Sequence, residues 1–296
     1  SGSALTEEFT AGAPVGAWST GGSLNTARNT LGGSGTQTAA LAFGGQPPNR
    51  ALTELYDGTS WTEVNDLNTA RNGPGGIGIS TATLAFAGEG AAPTPKDLVE
   101  SWNGSSWTET TDLNSSRKYG GSAGAVYTAG LAIAGIGPDN SNNFANVEQW
   151  NGSAWTEIAD VNTARHGLKG SGTPSNAVAI GGFTTTYVAN TESWNGSSWT
   201  EVNDLNTARY EGACSAQADY NDTWFAGGTS PTTGKMETWN GVSWQETTDL
   251  STARTNLAGS GSSTAGLAFG GYDGSSPTTA TEEWSGSSNT IKVLTD

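Results

Sequence analysis

The side chains able to do acid–base, nucleophilic or metal chemistry are few in this sequence. His166 is the single histidine and Cys214 the single cysteine among 296 residues. One cysteine permits neither an intrachain disulfide nor a zinc site built from several thiolates. His166 directly follows an arginine, where related segments carry Asn, Lys, Tyr or Thr, so we interpret it as a loop substitution. We therefore predict a protein without catalytic residues, cofactor or metal.

Carboxylates are plentiful, with 28 Asp and Glu residues and adjacent pairs at Glu7-Glu8 and Glu282-Glu283. A glycosidase needs two carboxylates at a defined separation in space, which spacing along the chain does not define. The segment GPDNSNNFAN at 137–146 carries oxygen ligands for calcium but lacks the spacing of an EF-hand. We favour a solvated loop there, and an enzyme acting on polysaccharide is the least favoured function.

The overall charge excludes two classes of partner. The formal net charge is −16 and the pI is near 4.3. Nucleic-acid phosphates and anionic lipids need clustered Lys and Arg, so we predict no nucleic-acid binding. No run of 18 residues is continuously apolar, and we predict no membrane insertion.

One sequence segment recurs along the chain. WNGSSWTEVNDLNTAR at 194–209 nearly recurs at 102–117, 150–165 and 239–254, more loosely at 56–71, and in a degraded form that ends at residue 28. The arginines that end these copies follow one another at intervals of 43 to 48 residues: Arg28, Arg71, Arg117, Arg165, Arg209 and Arg254. Repetition at this period is typical of a repeat architecture, so the segment marks architecture and not chemistry.

Each repeat has the same order of parts. A Gly-rich run follows the arginine, as in LGGSG at 31–35, and an apolar run ending in glycine comes next, as in LAFGG at 41–45. A variable loop, a strand with Glu and an aromatic residue, an Asn-Gly turn and a strand beginning with Trp complete the unit. Asn-Gly is a strong hairpin signal because both central residues of a type I′ turn need positive φ. Four short strands in roughly 45 residues predict one blade of a β-propeller.

Period-two alternation places the Glu of the third strand on the same face as two Trp residues, where an unpaired carboxylate is expensive. We therefore predict that each of these glutamates pairs with one arginine of the repeat, within or between blades. The glutamates are Glu54, Glu100, Glu148, Glu192, Glu237 and Glu282. A sialidase would instead gather arginines into one cluster, whereas this repeat spreads them one to a blade.

These parts resemble the kelch repeat: an apolar run ending in a Gly doublet, a Glu-x-aromatic strand, a spaced Trp and a terminal Arg. The resemblance covers nearly the whole chain and implies an all-β, six-bladed kelch-type β-propeller with four-stranded antiparallel blades. The chain departs from common kelch repeats in using Asn-Gly where Tyr-Asp-Pro is usual, and in replacing Gly doublets at Ala87-Gly88 and Ala134-Gly135. Kelch-type copper oxidases similar to galactose oxidase need two histidines, which this chain lacks.

The segments TEEF, WNGSSWTEV, LNTAR and TAALAFGG are most similar to segments of kelch-like repeat proteins of marine bacteriophages and metagenomic viruses. We predict one domain over 1–296, with the inner strand pair of each blade beginning after its arginine. The segments 1–27 and 281–296 are expected to close the ring together. Either the segment from Trp18 to Leu24 or the segment 288–295 supplies the outermost strand of the closing blade.

The loop between the second and third strands varies from blade to blade, and variable loops on a rigid scaffold are where binding usually resides. The side chains there best suited to contact a ligand are Arg50, Lys96, Tyr187, Lys235 and Tyr272. The resemblance implies a non-catalytic phage or virus-associated appendage protein, in the virion or outside cells. Its partner at the loops would be a host-surface glycan or another virion component. An extracellular bacterial lectin-like or adhesion propeller is the alternative.

Overall fold

A computed structural model of the chain describes residues 16–92, 94–215, 219–229 and 231–286. In these residues the regular structure consists of 24 β-strands, and helices are absent. The strands form six sheets, each of four antiparallel strands, arranged as blades around a ring. The prediction of an all-β, six-bladed propeller is confirmed. Within the same residues, no helix is long and apolar enough to cross a membrane.

In five blades the four strands follow one another along the chain, from the axis outwards. Blade 1 contains β2 (Gly32–Gly35), β3 (Ala40–Phe43), β4 (Thr53–Tyr56) and β5 (Trp61–Val64). Blade 2 contains β6 (Gly75–Ile79), β7 (Ala82–Phe86), β8 (Val99–Trp102) and β9 (Trp107–Glu109). Blade 3 contains β10 (Gly121–Val126), β11 (Ala129–Ile136), β12 (Asn143–Trp150) and β13 (Trp155–Ile158). Blade 4 contains β14 (Lys169–Thr173), β15 (Asn176–Phe183), β16 (Tyr187–Trp194) and β17 (Trp199–Val202). Blade 5 contains β18 (Ala213–Cys214), β19 (Trp224–Ala226), β20 (Met236–Trp239) and β21 (Trp244–Glu246).

Blade 6 combines the two ends of the described chain. Its strands are β22 (Ala258–Gly261), β23 (Ala265–Phe269), β24 (Thr281–Ser285) and, outermost, β1 (Ala17–Thr20). Trp18 lies opposite Trp284 in the β1–β24 register, and their rings are 5.4 Å apart. Ring closure shared between the termini is thus confirmed, with the outer strand coming from the N-terminal side. The alternative segment 288–295 lies outside the described residues.

The core lies between neighbouring blades. In blade 2, Trp102 and Trp107 face each other across the outer hairpin with ring centroids 5.4 Å apart. Trp107 also packs edge-on against Phe43 of blade 1 at 5.3 Å and donates its indole N–H to Thr53 Oγ1 at 3.0 Å. Large rings therefore fill each inter-blade space, and most of their N–H groups find acceptors, those of Trp155, Trp224 and Trp239 being the exceptions.

At several positions the innermost strands approach one another too closely for a side chain. A Cβ added at Gly76 would lie 2.6 Å from the carbonyl oxygen of Gly33 and 2.7 Å from Cζ of Phe43 in the preceding blade. At Gly170 it would lie 2.8 Å from the carbonyl oxygen of Ser122. Glycine at these positions is a requirement of packing around the axis.

Each arginine of the repeat is buried and forms an ion pair with the glutamate on the third strand of the blade that follows it. The pairs are Arg28–Glu54, Arg71–Glu100, Arg117–Glu148, Arg165–Glu192, Arg209–Glu237 and Arg254–Glu282. In each pair both side chains are at most 5% exposed. This is the pairing that the repeat predicts.

Blade 4 shows how completely such a carboxylate is satisfied. Glu192 Oε2 accepts the backbone N–H and the Nδ2 of Asn162, both at 2.7 Å. Arg165 contacts Glu192 Oε1 and donates its Nε to the carbonyl oxygen of Gly181 at 2.9 Å. Charge and hydrogen bonds together fix the connection between blades 3 and 4 to the third strand of blade 4. The repeated LNTAR segment therefore has a structural role, and we call the Arg–Glu pair with its Asn hydrogen bonds the clamp.

The outer hairpin of blade 1 has Asp57 where blades 2 to 5 have Asn. Asp57 Oδ1 accepts the backbone N–H groups of Thr59 and Ser60, both at 2.8 Å, as Asn103 Oδ1 does with Ser105 and Ser106 in blade 2. The N–H donors of Ser60 and Thr59 lower the pKa of Asp57 to about 2.

We expect this Asp57 carboxylate to stabilise its turn above the ordinary pKa of 3.8 and to lose that contribution as the pH falls through about 2. An NMR titration of the side-chain carboxyl carbon measures it. Because the other blades use Asn, Asp57→Asn should remove this titration without changing the stability at pH 7. A pKa near 3.8 in the titration would contradict the geometry of the turn.

Candidate functional site

One end of the ring, here called the loop face, carries the loops between second and third strands together with the residues that follow the six arginines. Isolated bridges hold these two sets side by side, as between His166 and Phe183 and between Tyr210 and Thr229. The residue after each arginine is therefore brought next to the variable loop of its own blade. Positions more than a dozen residues apart in the chain form one surface.

Four aromatic rings gather on this face between blades 4 and 5. Phe183 ends β15 and lies opposite Tyr187 at the start of β16, with ring centroids 5.5 Å apart. Tyr210 of the next blade packs against both, at 5.6 Å from Phe183 and 5.3 Å from Tyr187. His166 lies 5.3 Å from Phe183 and 6.1 Å from Tyr210. We call these four residues the aromatic platform.

The platform is open to solvent at one side and anchored at the other. Tyr187 is 39% exposed, and the other three rings are partly exposed. The Nδ1 of His166 lies 2.7 Å from Asn143 Oδ1 of blade 3, which fixes the orientation of the ring. Burial, assisted by the charge of Lys118, lowers the pKa of His166, so its imidazole is neutral at pH 7. The platform therefore presents uncharged ring surface.

The platform adjoins the mouth of the axial channel through Tyr210 and Glu211. Burial is the main cause that raises the pKa of Tyr210 to about 12, with the Glu211 charge adding to it, so the phenol stays a hydrogen-bond donor. Burial raises the pKa of the Glu211 carboxyl, and the neighbouring Lys169, Asn256 and Tyr210 act in the opposite direction. Phenol, carboxyl and amide thus lie together at the mouth.

The mouth is encircled by the second residue after each arginine. These are Thr30, Gly73, Tyr119, Gly167, Glu211 and Asn256, and all have φ between 50° and 64°. Five hydrogen bonds of 2.7 to 2.8 Å run around the circle: Thr30 N–H to Asn256 O, Asn256 N–H to Glu211 O, Glu211 N–H to Gly167 O, Gly167 N–H to Tyr119 O and Gly73 N–H to Thr30 O. Positive φ at a non-Gly residue costs free energy and concentrates at functional sites, which directs attention to this circle.

A polar groove lies on the loop face at blades 1 and 2. Its volume is about 430 Å³, within the range of small-ligand pockets. It is lined by Gln46, Pro48, Asn49, Asn72, Glu89, Gly90 and Ala91. Lys118 Nζ and Tyr119 Oη each contact Glu89 Oε2 at 3.0 Å, and Asn72 Nδ2 donates to Asn49 Oδ1 at 2.7 Å. The polar groups of this groove are thus largely engaged with one another.

The structure separates the five residues that the sequence predicted as ligand contacts. Tyr187 lies in the aromatic platform. Arg50 donates to the carbonyl oxygen of Pro47 at 3.0 Å, and Lys96 donates to Thr94 Oγ1 at 3.2 Å, each within its own loop. Lys235 pairs with Glu246 at 3.1 Å, and Tyr272 is partly exposed on blade 6. These five do not form one site.

Phe183, Tyr210 and Glu211 are not among the ligand contacts that the sequence predicts, and His166 is predicted only as a loop substitution. The signal that could have found them is departure from the repeat: the positions matching Tyr210 and Glu211 in other blades hold mostly small or amide side chains. Aligning the repeats position by position would have brought these residues forward.

Polar groups of the loop at 137–146 form hydrogen bonds within the loop. Asp139 Oδ1 accepts the backbone N–H groups of Ser141 and Asn142, both at 3.1 Å. Within residues 16–92, 94–215, 219–229 and 231–286, no three His, Cys, Asp or Glu side chains are grouped as metal ligands would be. The segment 217–224, a second loop with oxygen ligands, lies partly outside the described residues.

Comparison with known proteins identifies the fold. No protein-family model matches the sequence, and no curated protein matches it. Solved structures do match, among them the structure of YjhT, which superposes with a TM-score of 0.73 over 88% of this chain and 95% of that chain. The two sequences are 11% identical, so the likeness establishes the six-bladed propeller fold and nothing further.

Proposed function

We propose that the protein is a non-catalytic recognition module that binds a saccharide on the aromatic platform. The observation that carries this proposal is the contact between Tyr187 and Tyr210, whose rings lie 5.3 Å apart at an angle of 32° and face solvent together. Aromatic faces carry partial negative charge, and the C–H bonds on one side of a pyranose ring carry partial positive charge. Two neighbouring rings therefore offer a surface on which a sugar can stack.

The polar groups beside the platform supply the directional contacts that stacking lacks. The Tyr210 phenol, the Glu211 carboxyl and the Asn256 amide lie at the channel mouth, and the Asn143 amide borders His166. Few polar groups around an apolar surface are the usual composition of a small-ligand site. Their donors and acceptors match sugar hydroxyls, which both donate and accept.

The kelch-type repeat and the similarity to phage sequences support a further part of the proposal. On that basis the protein is a phage or virus-associated appendage protein, located in the virion or outside cells, that recognises a glycan of the host surface. The acidic surface suits such a role because it limits nonspecific association. If no glycan binds, the result would favour another virion component as the partner at the loop face.

Screening the purified protein against an array of marine bacterial and algal glycans tests the proposal. For a glycan that binds, Tyr187→Ala and Tyr210→Ala should each raise the dissociation constant about tenfold, the effect of losing ~1.4 kcal/mol. Tyr127→Ala is the matched control: Tyr127 is 42% exposed against 39% for Tyr187, but it lies in the β10–β11 turn at the opposite end of the ring. Equal losses in all three variants, or binding to none of the glycans, would contradict saccharide recognition by the platform.

A further inference from the structure

At the level of the axial channel that lies four residues after each arginine, one side chain breaks the sixfold pattern. Lys169 begins β14 four residues after its arginine. The corresponding positions of the other blades hold only glycine or alanine: Gly32, Gly75, Gly121, Ala213 and Ala258. A packing requirement for small residues therefore explains five blades and leaves the lysine of blade 4 unexplained.

Lys169 lines two connected cavities on the axis. The inner one has a volume of about 50 Å³ and includes Gly32, Gly75 and Cys214 in its wall. The outer one, at the mouth, has a volume of about 30 Å³ and is bordered by Tyr119, Glu211 and Asn256. The lysine thus borders both the inner cavity and the circle of residues beside the aromatic platform.

The ammonium group of Lys169 is left without a close partner in the part of the chain that the structure describes. The lysine ion pairs there are those of Lys118 with Glu89 and of Lys235 with Glu246. Lys169 interacts electrostatically with Glu211 and Cys214 without forming an ion pair with either. Lys169 is partly exposed, and burial is the main cause that lowers its pKa, with Cys214 and Glu211 acting in the opposite direction.

Among the residues that line the outer cavity, Glu211 is the one acidic side chain. Burial raises the pKa of its carboxyl, with Lys169, Asn256 and Tyr210 acting in the opposite direction, so its protonated form is favoured more than in water. The phenol of Tyr119 also has a pKa raised mainly by burial, so it stays neutral. An incoming anion would therefore meet an ammonium group that has no ion pair among the described residues, and would gain a charge-assisted hydrogen bond there.

We propose that Lys169 binds the carboxylate of an acidic saccharide whose ring rests on the aromatic platform. This inference depends on the proposed saccharide binding and specifies its ligand as a uronic-acid-type sugar. The volume at the mouth admits a carboxylate but no sugar ring, so the ring stays outside on Tyr210 while its acidic substituent enters. Tyr210 packs over Gly167, a member of the mouth circle, which makes the two subsites contiguous.

The test compares a galacturonate disaccharide with the matching galactose disaccharide by titration calorimetry. The wild-type protein should bind the galacturonate form at least tenfold more tightly. Lys169→Ala should abolish that preference while retaining the binding of the galactose form. The substitution should fold, because alanine already occupies the corresponding position in blades 5 and 6. Lys235→Ala, which removes a loop-face lysine outside the channel, is the matched control and should keep the preference.

Each result separates this inference from the saccharide proposal. Binding of both disaccharides with equal affinity, or a preference that survives in Lys169→Ala, overturns the role of Lys169 and leaves the platform in place. Binding of neither disaccharide removes the platform's proposed role. In that event, a titration with sodium acetate decides about Lys169 alone: a saturable NMR shift of its Cε group supports carboxylate binding, and an unchanged resonance overturns it.

Discussion

Glu192→Ala is expected to lower the free energy of unfolding by about 3–5 kcal/mol, the usual cost of removing one partner from a buried ion pair. Arg165 is fully buried and would keep its charge without a counter-charge. The backbone N–H and side-chain amide of Asn162 would also lose their acceptor. Urea unfolding followed by Trp fluorescence measures the change, since Trp194 and Trp199 lie on the same blade.

Glu201→Ala is the matched control because Glu201 lies opposite Glu192 in the β16–β17 register but is exposed. We expect it to change stability by less than about 0.5 kcal/mol, as surface substitutions usually do. The double variant Arg165→Met with Glu192→Leu removes both charges and should recover much of the loss. Equal effects of Glu192→Ala and Glu201→Ala would show that the clamp contributes little.

Gly76→Ala is expected to destabilise the ring by about 1–3 kcal/mol, as overpacking of a close-packed interior does. The new Cβ would approach the carbonyl oxygen of Gly33 to 2.6 Å, and backbone atoms cannot move aside as a flexible side chain can. Blades 1 and 2 would have to separate at the axis. The same urea experiment gives the magnitude.

Ser122→Ala provides the comparison for Gly76→Ala. Ser122 occupies the position of blade 3 that corresponds to Gly76, and the channel there accommodates its side chain. Replacing Ser122 with alanine should leave the free energy of unfolding within about 0.5 kcal/mol of the wild-type value. If alanine is tolerated equally at both positions, steric crowding at the axis is not what selects glycine.

The fold is predictable from the sequence because each part of the repeat specifies one local structure or one contact. Asn-Gly pairs specify hairpins, the Glu between two Trp residues requires a counter-charge, and the arginine of the repeat supplies it. The structure contains the Arg–Glu pairs in six copies and the outer hairpins in five. The sequence also predicts that both termini close blade 6, with the segment from Trp18 to Leu24 or the segment 288–295 as its outer strand, and the structure selects the first.

The candidate site was harder to predict because it consists of departures from the repeat. Tyr187 was selected from its variable loop, but its partner Tyr210 follows an arginine of the next blade, and only the three-dimensional register brings the two together. Lys169 lies within a run of small residues that the axis explains well. A single lysine in such a run has no partner along the sequence, and its channel exists only once six strands have assembled.

The pairing of β1 with β24 also has a consequence for the folding pathway. Five blades form from strands that are consecutive in the chain, so their contacts are local and should appear early. Blade 6 instead joins residues as far apart as Ser19 and Glu283, which are separated by 264 positions. Contacts between distant residues carry the larger loop-closure entropy and slow folding, so we expect the pairing of β1 with the outer edge of β24 to be the last step. Until β1 pairs, blade 6 has three strands and the outer edge of β24 lacks its partner.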